Sequence, residues 1–256
     1  PDYSLPRHDP NAERMIPKTL HYCWFGRNPL PPIMKKCVDS WEKFCPDYEI
    51  VEWNEDNYDV NQNSFIREAY KAKKWAFVSD FARMDVVYRY GGIYMDTDVE
   101  LIKPMDRFLN DAAFCGMEAA SVPALSLPFG AAAGNELIGG LRDLYKRIPF
   151  LKANGEYNLT PCTHYHAMMF RGLGLTKENR IQHVKGFSVY PTDVFSPAHP
   201  ALVYECFTGN THAIHHYAAS WRADAENEDK LDVAARYREI MDGMHKGNLY
   251  KVPISR

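Results

Sequence analysis

Strand-like and helix-like segments alternate through the first hundred residues. Apolar and aromatic residues run together in some segments and recur every three or four positions in others. The pattern predicts strands within residues 20–25, 48–53 and 93–99, and helices over residues 32–44, 64–73 and 76–90. Strands that alternate with helices in this way indicate βαβ units around a mostly parallel sheet. The predicted fold class is therefore α/β, with a Rossmann-like sheet flanked by helices.

The apolar positions within two of these helices predict which face packs on the sheet. Both stripes follow the spacing of a single helical face. In the helix over residues 32–44 the stripe consists of Ile33, Cys37, Trp41 and Phe44. In the helix over residues 76–90 it consists of Phe77, Phe81, Met84 and Tyr88.

The second half of the chain has a more mixed pattern. It predicts short strands within residues 113–117, 184–190 and 211–217, and helices near residues 135–147, 161–171 and 229–245. No repeat or long linker divides the chain, so a single domain over residues 15–256 is predicted. Residues 1–14 have three prolines and no apolar run, which favours a flexible tail or an added expression segment, with Met15 as the native start.

Composition excludes several classes of protein. The 256 residues contain 30 Lys and Arg against 33 Asp and Glu, a net charge of −3, so a basic surface for nucleic acid is not expected. No apolar run approaches the length of a membrane span, and a secretory signal is not expected from the first residues given. The six cysteines form no Cys-x-x-Cys motif. A cytoplasmic protein with reduced thiols is the expectation.

The segment Gly91–Val99 is the strongest chemical signal. On a strand, where side chains alternate between faces, Tyr94, Asp96 and Asp98 project to one side. Two carboxylates at the end of a buried strand suit Mg²⁺ or Mn²⁺, with substrate phosphates completing the coordination. The paired glycines give the backbone freedom that a close ligand approach needs. The alternative is a solvated turn.

Two further segments contain polar groups that could line the same pocket. Ser79, Asp80 and Arg83 lie on the helix before the glycines, where an exposed i, i+3 salt bridge is the simpler alternative. Residues 213–221 combine a histidine pair with a hydroxyl and an indole, which could close over a diphosphate. The simpler alternative there is a structural strand with surface histidines. Glu118 follows another strand and is a candidate sugar-side or acceptor-side carboxylate, although a surface glutamate is favoured.

Taken together, these segments resemble glycosyltransferase family 32, whose members carry a sugar-binding DXD region. The related catalytic domains of the large clostridial glucosylating toxins are similar. Four blocks in the same order carry the resemblance: Ile16–Gly26, Ala76–Arg83, Gly91–Asp98 and His215–Trp221. The resemblance implies a GT-A fold, a nucleotide-sugar donor, a divalent metal and retention of anomeric configuration.

The resemblance also implies a role for each matched residue. Trp24 resembles the aromatic residue that stacks on the nucleobase, and Ser79 a ribose or base contact. Asp80 and Arg83 are similar to the pair that holds the donor sugar. The metal-diphosphate carboxylates are matched by Asp96 and Asp98, with Tyr94 beside them, and the phosphate donors of the C-terminal loop by Ser220 and Trp221.

The third metal ligand departs from the toxin pattern. Where the toxins have a carboxylate, this chain has a histidine. His215 occupies the position of the histidine in similar transferases and is the predicted ligand, with His216 as the alternative. We expect residues 215–221 to form a loop that closes over donor and metal.

The predicted function is metal-dependent, retaining transfer of a hexose to a glycan or lipid-linked saccharide in cell-surface polysaccharide synthesis. The expected cofactors are Mn²⁺ or Mg²⁺ and a UDP-sugar such as UDP-galactose or UDP-glucose. No nucleic acid partner is expected, and peripheral contact with the cytoplasmic membrane face is left open. The alternatives are a GDP-mannose-dependent mannosyltransferase, a metal-dependent phosphohydrolase or nucleotidyltransferase, and a catalytically silent sugar-nucleotide or glycan-binding protein.

Overall fold

The computed structural model describes Leu5, residues 15–199 and residues 204–218. Its strands are β1 (Thr19–Cys23), β2 (Glu49–Trp53), β3 (Gly92–Tyr94), β4 (Val99–Leu101), β5 (Ala113–Ala119), β6 (Val122–Ala124), β7 (Phe129–Ala131), β8 (Gln182–Val184), β9 (Phe187–Tyr190), β10 (Ala198–His199), β11 (Tyr204–Glu205) and β12 (Ala213–His215). Its α-helices are α1 (Pro32–Phe44), α2 (Ser64–Lys71), α3 (Trp75–Tyr90), α4 (Glu136–Tyr145), α5 (Cys162–Gly172) and α6 (Thr192–Phe195). The helix predicted over residues 229–245 lies outside the described residues.

An eight-stranded sheet runs through the molecule in the order β2-β1-β3-β7-β5-β9-β8, with β6 paired to β5. Strands β1, β2, β3, β5 and β9 share one direction, because β7 is antiparallel to both β3 and β5. The other strands, β6, β7 and β8, run the opposite way. The predicted α/β class with a mostly parallel sheet is confirmed. The antiparallel insertion of β6 and β7 is a feature that the pattern did not predict.

Apolar clusters cover both faces of the sheet. Neighbouring residues of β1 alternate between the clusters, with Cys23 in one and Tyr22 in the other. Trp41 of α1 packs in the same cluster as Tyr22, and Phe81 of α3 packs in that of Cys23. This alternation is what a strand buried on both faces requires.

Helix α1 has the predicted bounds but a rotated packing face. Its buried residues are Met34, Cys37, Ser40 and Trp41, whereas Ile33 is 38% exposed. The Trp41 indole N–H donates to the Val99 carbonyl at 2.7 Å, and the Ser40 hydroxyl accepts from the Leu101 amide at 2.9 Å. These bonds join the helix to β4, and Cys37 and Trp41 of the predicted stripe are buried as expected.

The strand predicted over residues 93–99 is wrong, because β3 ends at Tyr94 and the chain turns before β4 begins at Val99. The Asp96 amide donates to the Ser126 carbonyl at 3.1 Å, and the Val99 amide donates to the Asp96 carbonyl at 3.1 Å. β4 then pairs with β12 in a separate two-stranded ribbon. Asp96 and Asp98 therefore project from a turn at the sheet edge, not from one face of a strand.

Close packing of the backbone requires glycine at positions 91 and 92. Both have positive φ, and a Cβ on Gly92 would lie 2.8 Å from the Thr19 carbonyl oxygen and 2.9 Å from the His21 ring. The His21 ring accepts from the Trp53 indole at Nδ1, so its Nε2–H donates to the Gly91 carbonyl at 2.8 Å. Gly92 therefore lets β3 come close to β1, whereas a Cβ at Gly91 would lie 2.9 Å from the Ala133 amide nitrogen.

Helix α3 is enclosed by the rest of the fold. Ten of its sixteen residues are buried, and they include Asp80, Arg83 and Asp85. Buried charges need partners, so this helix brings its own electrostatic network into the interior. Among the described residues, no helix is both long and apolar enough to cross a bilayer.

Candidate functional site

The candidate site lies beyond the carboxyl ends of two neighbouring parallel strands. Leu20 and His21 of β1 pair with Ile93 and Tyr94 of β3. Trp24 directly follows β1, and Asp96 follows β3 by two residues. In open α/β sheets this edge is where ligands bind. The topology therefore brings the predicted nucleobase residue and the predicted metal residues to one edge.

A buried charge network forms the floor of the site. The Arg83 Nη2 lies 3.1 Å from Asp80 Oδ1 and 3.2 Å from Asp96 Oδ1. The Tyr94 hydroxyl donates to the same Asp96 oxygen at 3.0 Å. The side chains of Arg83 and Asp80 are 4% and 8% exposed, whereas that of Asp96 is 25% exposed. Asp80 and Arg83 are thus not the exposed salt bridge of the simpler alternative, and Asp96 is the member of the network that opens to solvent.

This network has two carboxylates for one guanidinium. Burial raises the pKa of Asp80 to about 6 despite the opposing charge of Arg83. The pKa of Asp96 is also raised by burial, again against the effect of Arg83. A neighbouring cation would relieve this excess of negative charge.

Asp98 pairs with a histidine from the C-terminal ribbon. Antiparallel pairing of β12 with β4 places His215 opposite Val99 and next to Asp98. The His215 Nε2 lies 3.3 Å from Asp98 Oδ1, and the Ala218 amide donates to Asp98 Oδ2 at 2.9 Å. Although burial acts to raise the pKa of Asp98, His215 and the Ala218 amide lower it to about 2. Asp98 is consequently a firmly ionised carboxylate.

The neighbouring acidic and histidine side chains are buried rather than at the surface. His216 Nε2 lies 2.9 Å from Glu100 Oε2, and the side chains of both residues are 7% exposed. The alternative of a strand with surface histidines is therefore wrong. Glu118, favoured as a surface glutamate, is partly buried in β5, and burial raises its pKa against the opposing effect of His215.

These residues fit a divalent cation in chemical type. Asp96 and Asp98 supply the carboxylate oxygens that Mn²⁺ and Mg²⁺ favour, and an imidazole suits Mn²⁺. The His215 Nδ1 is buried and has no hydrogen-bond partner among the described residues. Within that same part of the chain, no three His, Cys, Asp or Glu side chains are grouped closely enough to hold a metal. The predicted ligands are therefore neighbours without a preassembled metal geometry.

The remaining predicted site residues occupy defined positions. Trp24 is partly buried, and its indole N–H donates to the Asn28 carbonyl at 2.6 Å. The Ser79 hydroxyl donates to the Trp75 carbonyl at 3.2 Å within α3. Ser220 and Trp221 lie outside the described residues. The site roles of all these residues stay predictions.

The sequence analysis missed a second wall of the site, formed by α5 and the segment after β6. Cys162 lies within electrostatic reach of Asp80, and the Leu125 carbonyl accepts from Arg83 Nη1 at 3.3 Å. Tyr145 lies within electrostatic reach of Asp80. The hydrophobic pattern of residues 161–171 predicted the helix α5. It did not indicate that Cys162 lies near Asp80, because the periodicity of one segment does not reveal which other helix it packs against.

Part of the chain matches a known family model. Residues 31–115 match "Glycosyltransferase sugar-binding region containing DXD motif". The matched segment contains two of the four blocks that carry the resemblance, including Asp80, Arg83, Asp96 and Asp98. Its boundaries run from the start of α1 into β5.

Two curated relatives from Schizosaccharomyces pombe match a shorter stretch. Inositol phosphoceramide mannosyltransferase 1 is 30% identical over 116 residues, which are 41% of this chain and 35% of the relative. Inositol phosphoceramide mannosyltransferase 3 is 31% identical over 116 residues, which are 41% of this chain and 30% of the relative. The match thus spans about a third of the length of these curated relatives.

Solved structures of glycosyltransferases show a distant likeness. The PaToxG glycosyltransferase has a TM-score of 0.46 at 18% identity, covering 62% of this chain and 71% of that one. The galactosyltransferase LgtC, solved with donor and acceptor sugar analogs, has a TM-score of 0.43 at 11% identity, covering 92% and 98%. Residues 31–115 of this chain thus match the DXD-containing sugar-binding region of glycosyltransferases, in agreement with the resemblance seen in the sequence.

Proposed function

We propose that this protein transfers a hexose from a nucleotide sugar to a saccharide acceptor, with a divalent cation held by Asp96, Asp98 and His215. The observation that carries the proposal is the position of Asp96. Asp96 lies in the turn of residues 96–98 at the sheet edge, called here the DXD turn. Through the contact with Arg83 at 3.2 Å, it also belongs to the buried charge network of α3. A diphosphate at the edge would therefore place its attached sugar over Asp80 and Arg83.

The DXD turn supplies the negative charge for cation binding. Asp98 is ionised throughout the neutral range because its pKa is about 2, and Asp96 is partly exposed. When bound, a divalent cation supplies Lewis-acid stabilisation of the charge that grows on the leaving diphosphate. His215 orients the Asp98 carboxylate, and its Nδ1 is available as a further ligand.

Asp80 and Arg83 are proposed to bind hydroxyl groups of the donor sugar. Their network is rigid, because the Arg83 Nε also donates to the Ser79 carbonyl at 3.2 Å and the guanidinium lies over the Tyr94 ring at 5.2 Å. A rigid set of hydrogen-bonding groups discriminates between sugars by leaving buried groups unpaired when a hydroxyl is missing. Glu118 is a candidate for contact with the sugar or the acceptor.

Trp24 is proposed to stack on the nucleobase, and Ser220 and Trp221 to donate to the diphosphate. A pyrimidine is proposed because the Trp24 slot is framed by the strand that precedes it, so a UDP-sugar is the first candidate donor. The S. pombe relatives are named mannosyltransferases, which makes GDP-mannose the second candidate. Retention of anomeric configuration, with attack from the side that the leaving group vacates, completes the proposal.

Slow hydrolysis of nucleotide sugars tests the function without a known acceptor. Purified protein is incubated with UDP-glucose, UDP-galactose, GDP-mannose and p-nitrophenyl phosphate, each with Mn²⁺ or with EDTA. A transferase cleaves one nucleotide sugar and only with the metal. Phosphate release from the simple ester would instead support a phosphohydrolase, and binding without cleavage would support a catalytically silent binding protein. Tenfold tighter binding of GDP than UDP, about 1.4 kcal/mol, would exclude the UDP preference.

A further inference from the structure

A histidine that has no place in the proposed chemistry lies directly behind the site. His166 of α5 is 0% exposed. It lies one helical turn after Cys162, which is within electrostatic reach of Asp80, so the two side chains share a helix face. A fully buried imidazole is costly unless its polar atoms have partners.

One ring nitrogen of His166 is bonded to the loop that supports the charge network. The Leu125 amide donates to His166 Nδ1 at 3.3 Å, while the carbonyl of Leu125 accepts from Arg83 Nη1 at 3.3 Å. The carbonyl of the next residue, Ser126, accepts from the Asp96 amide at 3.1 Å. Two consecutive residues of the loop thus connect His166 to Arg83 and to the DXD turn.

The other ring nitrogen determines the tautomer. Since Nδ1 accepts a hydrogen bond, the proton of the neutral ring is on Nε2, which is buried and has no partner among the described residues. Burial and the charge of Arg83 lower the pKa of His166 to about 3, so the ring stays neutral and Nδ1 stays an acceptor at neutral pH.

We propose that His166 is a positioning residue for the sugar end of the donor site, acting through the backbone of Leu125 on Arg83. The inference rests on the proposed function, because it assigns Arg83 to the sugar. His166 accepts from the Leu125 amide through a single atom, and the carbonyl of the same residue accepts from the Arg83 guanidinium. Loss of that acceptor should misplace Arg83 while the nucleobase contact at Trp24 stays intact.

Two amide variants separate this role from simple packing. In His166→Asn, the side-chain oxygen can occupy the place of Nδ1 and accept from the Leu125 amide. In His166→Gln, the amide group lies nearer the place of Nε2 and leaves the Leu125 amide without its acceptor. The matched control is His212→Gln, since His212 is another buried histidine, 5% exposed, that packs against Phe108.

The test measures kcat and KM for the nucleotide sugar and the affinity for free UDP with Mn²⁺. We expect His166→Gln to lose roughly 10- to 100-fold in kcat/KM with UDP affinity within about twofold, the loss typical of a misplaced transition-state contact. His166→Asn should recover most of that loss, and His212→Gln should leave kcat/KM unchanged. Equal losses in both His166 variants, or a parallel fall in UDP affinity, would overturn the inference.

A second measurement uses the wild-type protein and needs no variant to fold. The ¹⁵N shifts of His166 between pH 6 and 8 should show an unprotonated Nδ1 and a protonated Nε2, and the opposite tautomer would contradict the inference. A wild type that turns over no nucleotide sugar contradicts the proposed function. An active wild type whose His166→Gln variant matches it contradicts the inference alone.

Discussion

The buried network of Asp80, Arg83 and Asp96 predicts that substitutions of opposite charge shift stability in opposite directions. We consider Arg83→Met, which keeps the aliphatic volume, and Asp80→Asn, which keeps the shape of the carboxyl. Arg83 serves both carboxylates, at 3.1 and 3.2 Å. Removing Arg83 leaves two carboxylates without a cation. Removing the charge of Asp80 instead leaves one ion pair, between Arg83 and Asp96, with no net charge.

The magnitudes follow from burial and from the pKa of Asp80. Breaking a buried ion pair by removing one partner costs about 3–5 kcal/mol, and we expect that loss for Arg83→Met. The pKa of Asp80 rises from 3.8 to about 6, so ionised Asp80 disfavours the folded state by about 3 kcal/mol at pH 7.5. Asp80→Asn removes this cost but also one partner of Arg83, so its effect should lie between no change and a gain of about 3 kcal/mol.

The pH dependence has a defined sign. A carboxyl whose folded pKa is raised binds more protons in the folded state, so its unfavourable effect is complete above about 6 and disappears as pH falls through 6 towards 3.8. At pH 5, where Asp80 is largely protonated in the folded state, Arg83→Met should therefore be less destabilising than at pH 7.5.

The assay is urea unfolding of the metal-free, nucleotide-free protein, followed by tryptophan fluorescence at both pH values. The decisive species is the double variant Asp80→Asn/Arg83→Met, which retains only the partly exposed Asp96 carboxylate. It should be at least about 2 kcal/mol more stable than Arg83→Met alone, since contacting residues are strongly coupled. If Asp80→Asn further destabilises the Arg83→Met protein, the network does not hold an excess of negative charge and the reasoning fails.

Three further predictions concern Asp98, Trp24 and His212. The pKa of Asp98, about 2 against an ordinary 3.8, contributes about 2.5 kcal/mol of stability that is lost as pH falls from 3.8 to 2. Asp98→Asn should therefore be less stable at pH 7.5 and should lose Mn²⁺-dependent turnover, whereas the control Glu100→Gln should not lose that turnover. Retained metal dependence of Asp98→Asn in calorimetry and rate assays would contradict the ligand role. Trp24→Ala should weaken the binding of free UDP and of UDP-sugar equally, by about 1–3 kcal/mol in calorimetry, with Trp53→Phe as the control. A loss of affinity for the UDP-sugar alone would rule out base stacking. Burial lowers the pKa of His212 from 6.5 to about 4, so the free energy of unfolding should fall by about 3 kcal/mol as pH drops across that range. In urea titrations, His212→Gln should reduce this dependence of stability on pH. An unchanged dependence would assign the acid sensitivity to other groups.

The long periodic elements could be predicted from sequence because their signal is local. Helix α1 begins and ends at the predicted residues, and α3 starts one residue earlier than predicted. The three-residue strands β6 and β7 escaped prediction, since so short a strand is defined by its partners rather than by its own pattern. β7 fits beside β5 because a Cβ at Gly130 would lie 2.7 Å from the Phe114 ring.

The DXD segment shows why a site can be found by a partly wrong argument. The side-chain alternation of a strand predicted that Asp96 and Asp98 share a face, yet the two carboxylates follow separate paths from a turn. Asp96 reaches back to Arg83 at 3.2 Å, and Asp98 turns to His215 at 3.3 Å. That turn depends on the Ser126 carbonyl and on the β12 ribbon, both distant in sequence. The motif thus indicates where the carboxylates lie along the chain. The direction of each carboxylate is set by contacts with residues distant in sequence, which the local sequence pattern does not show.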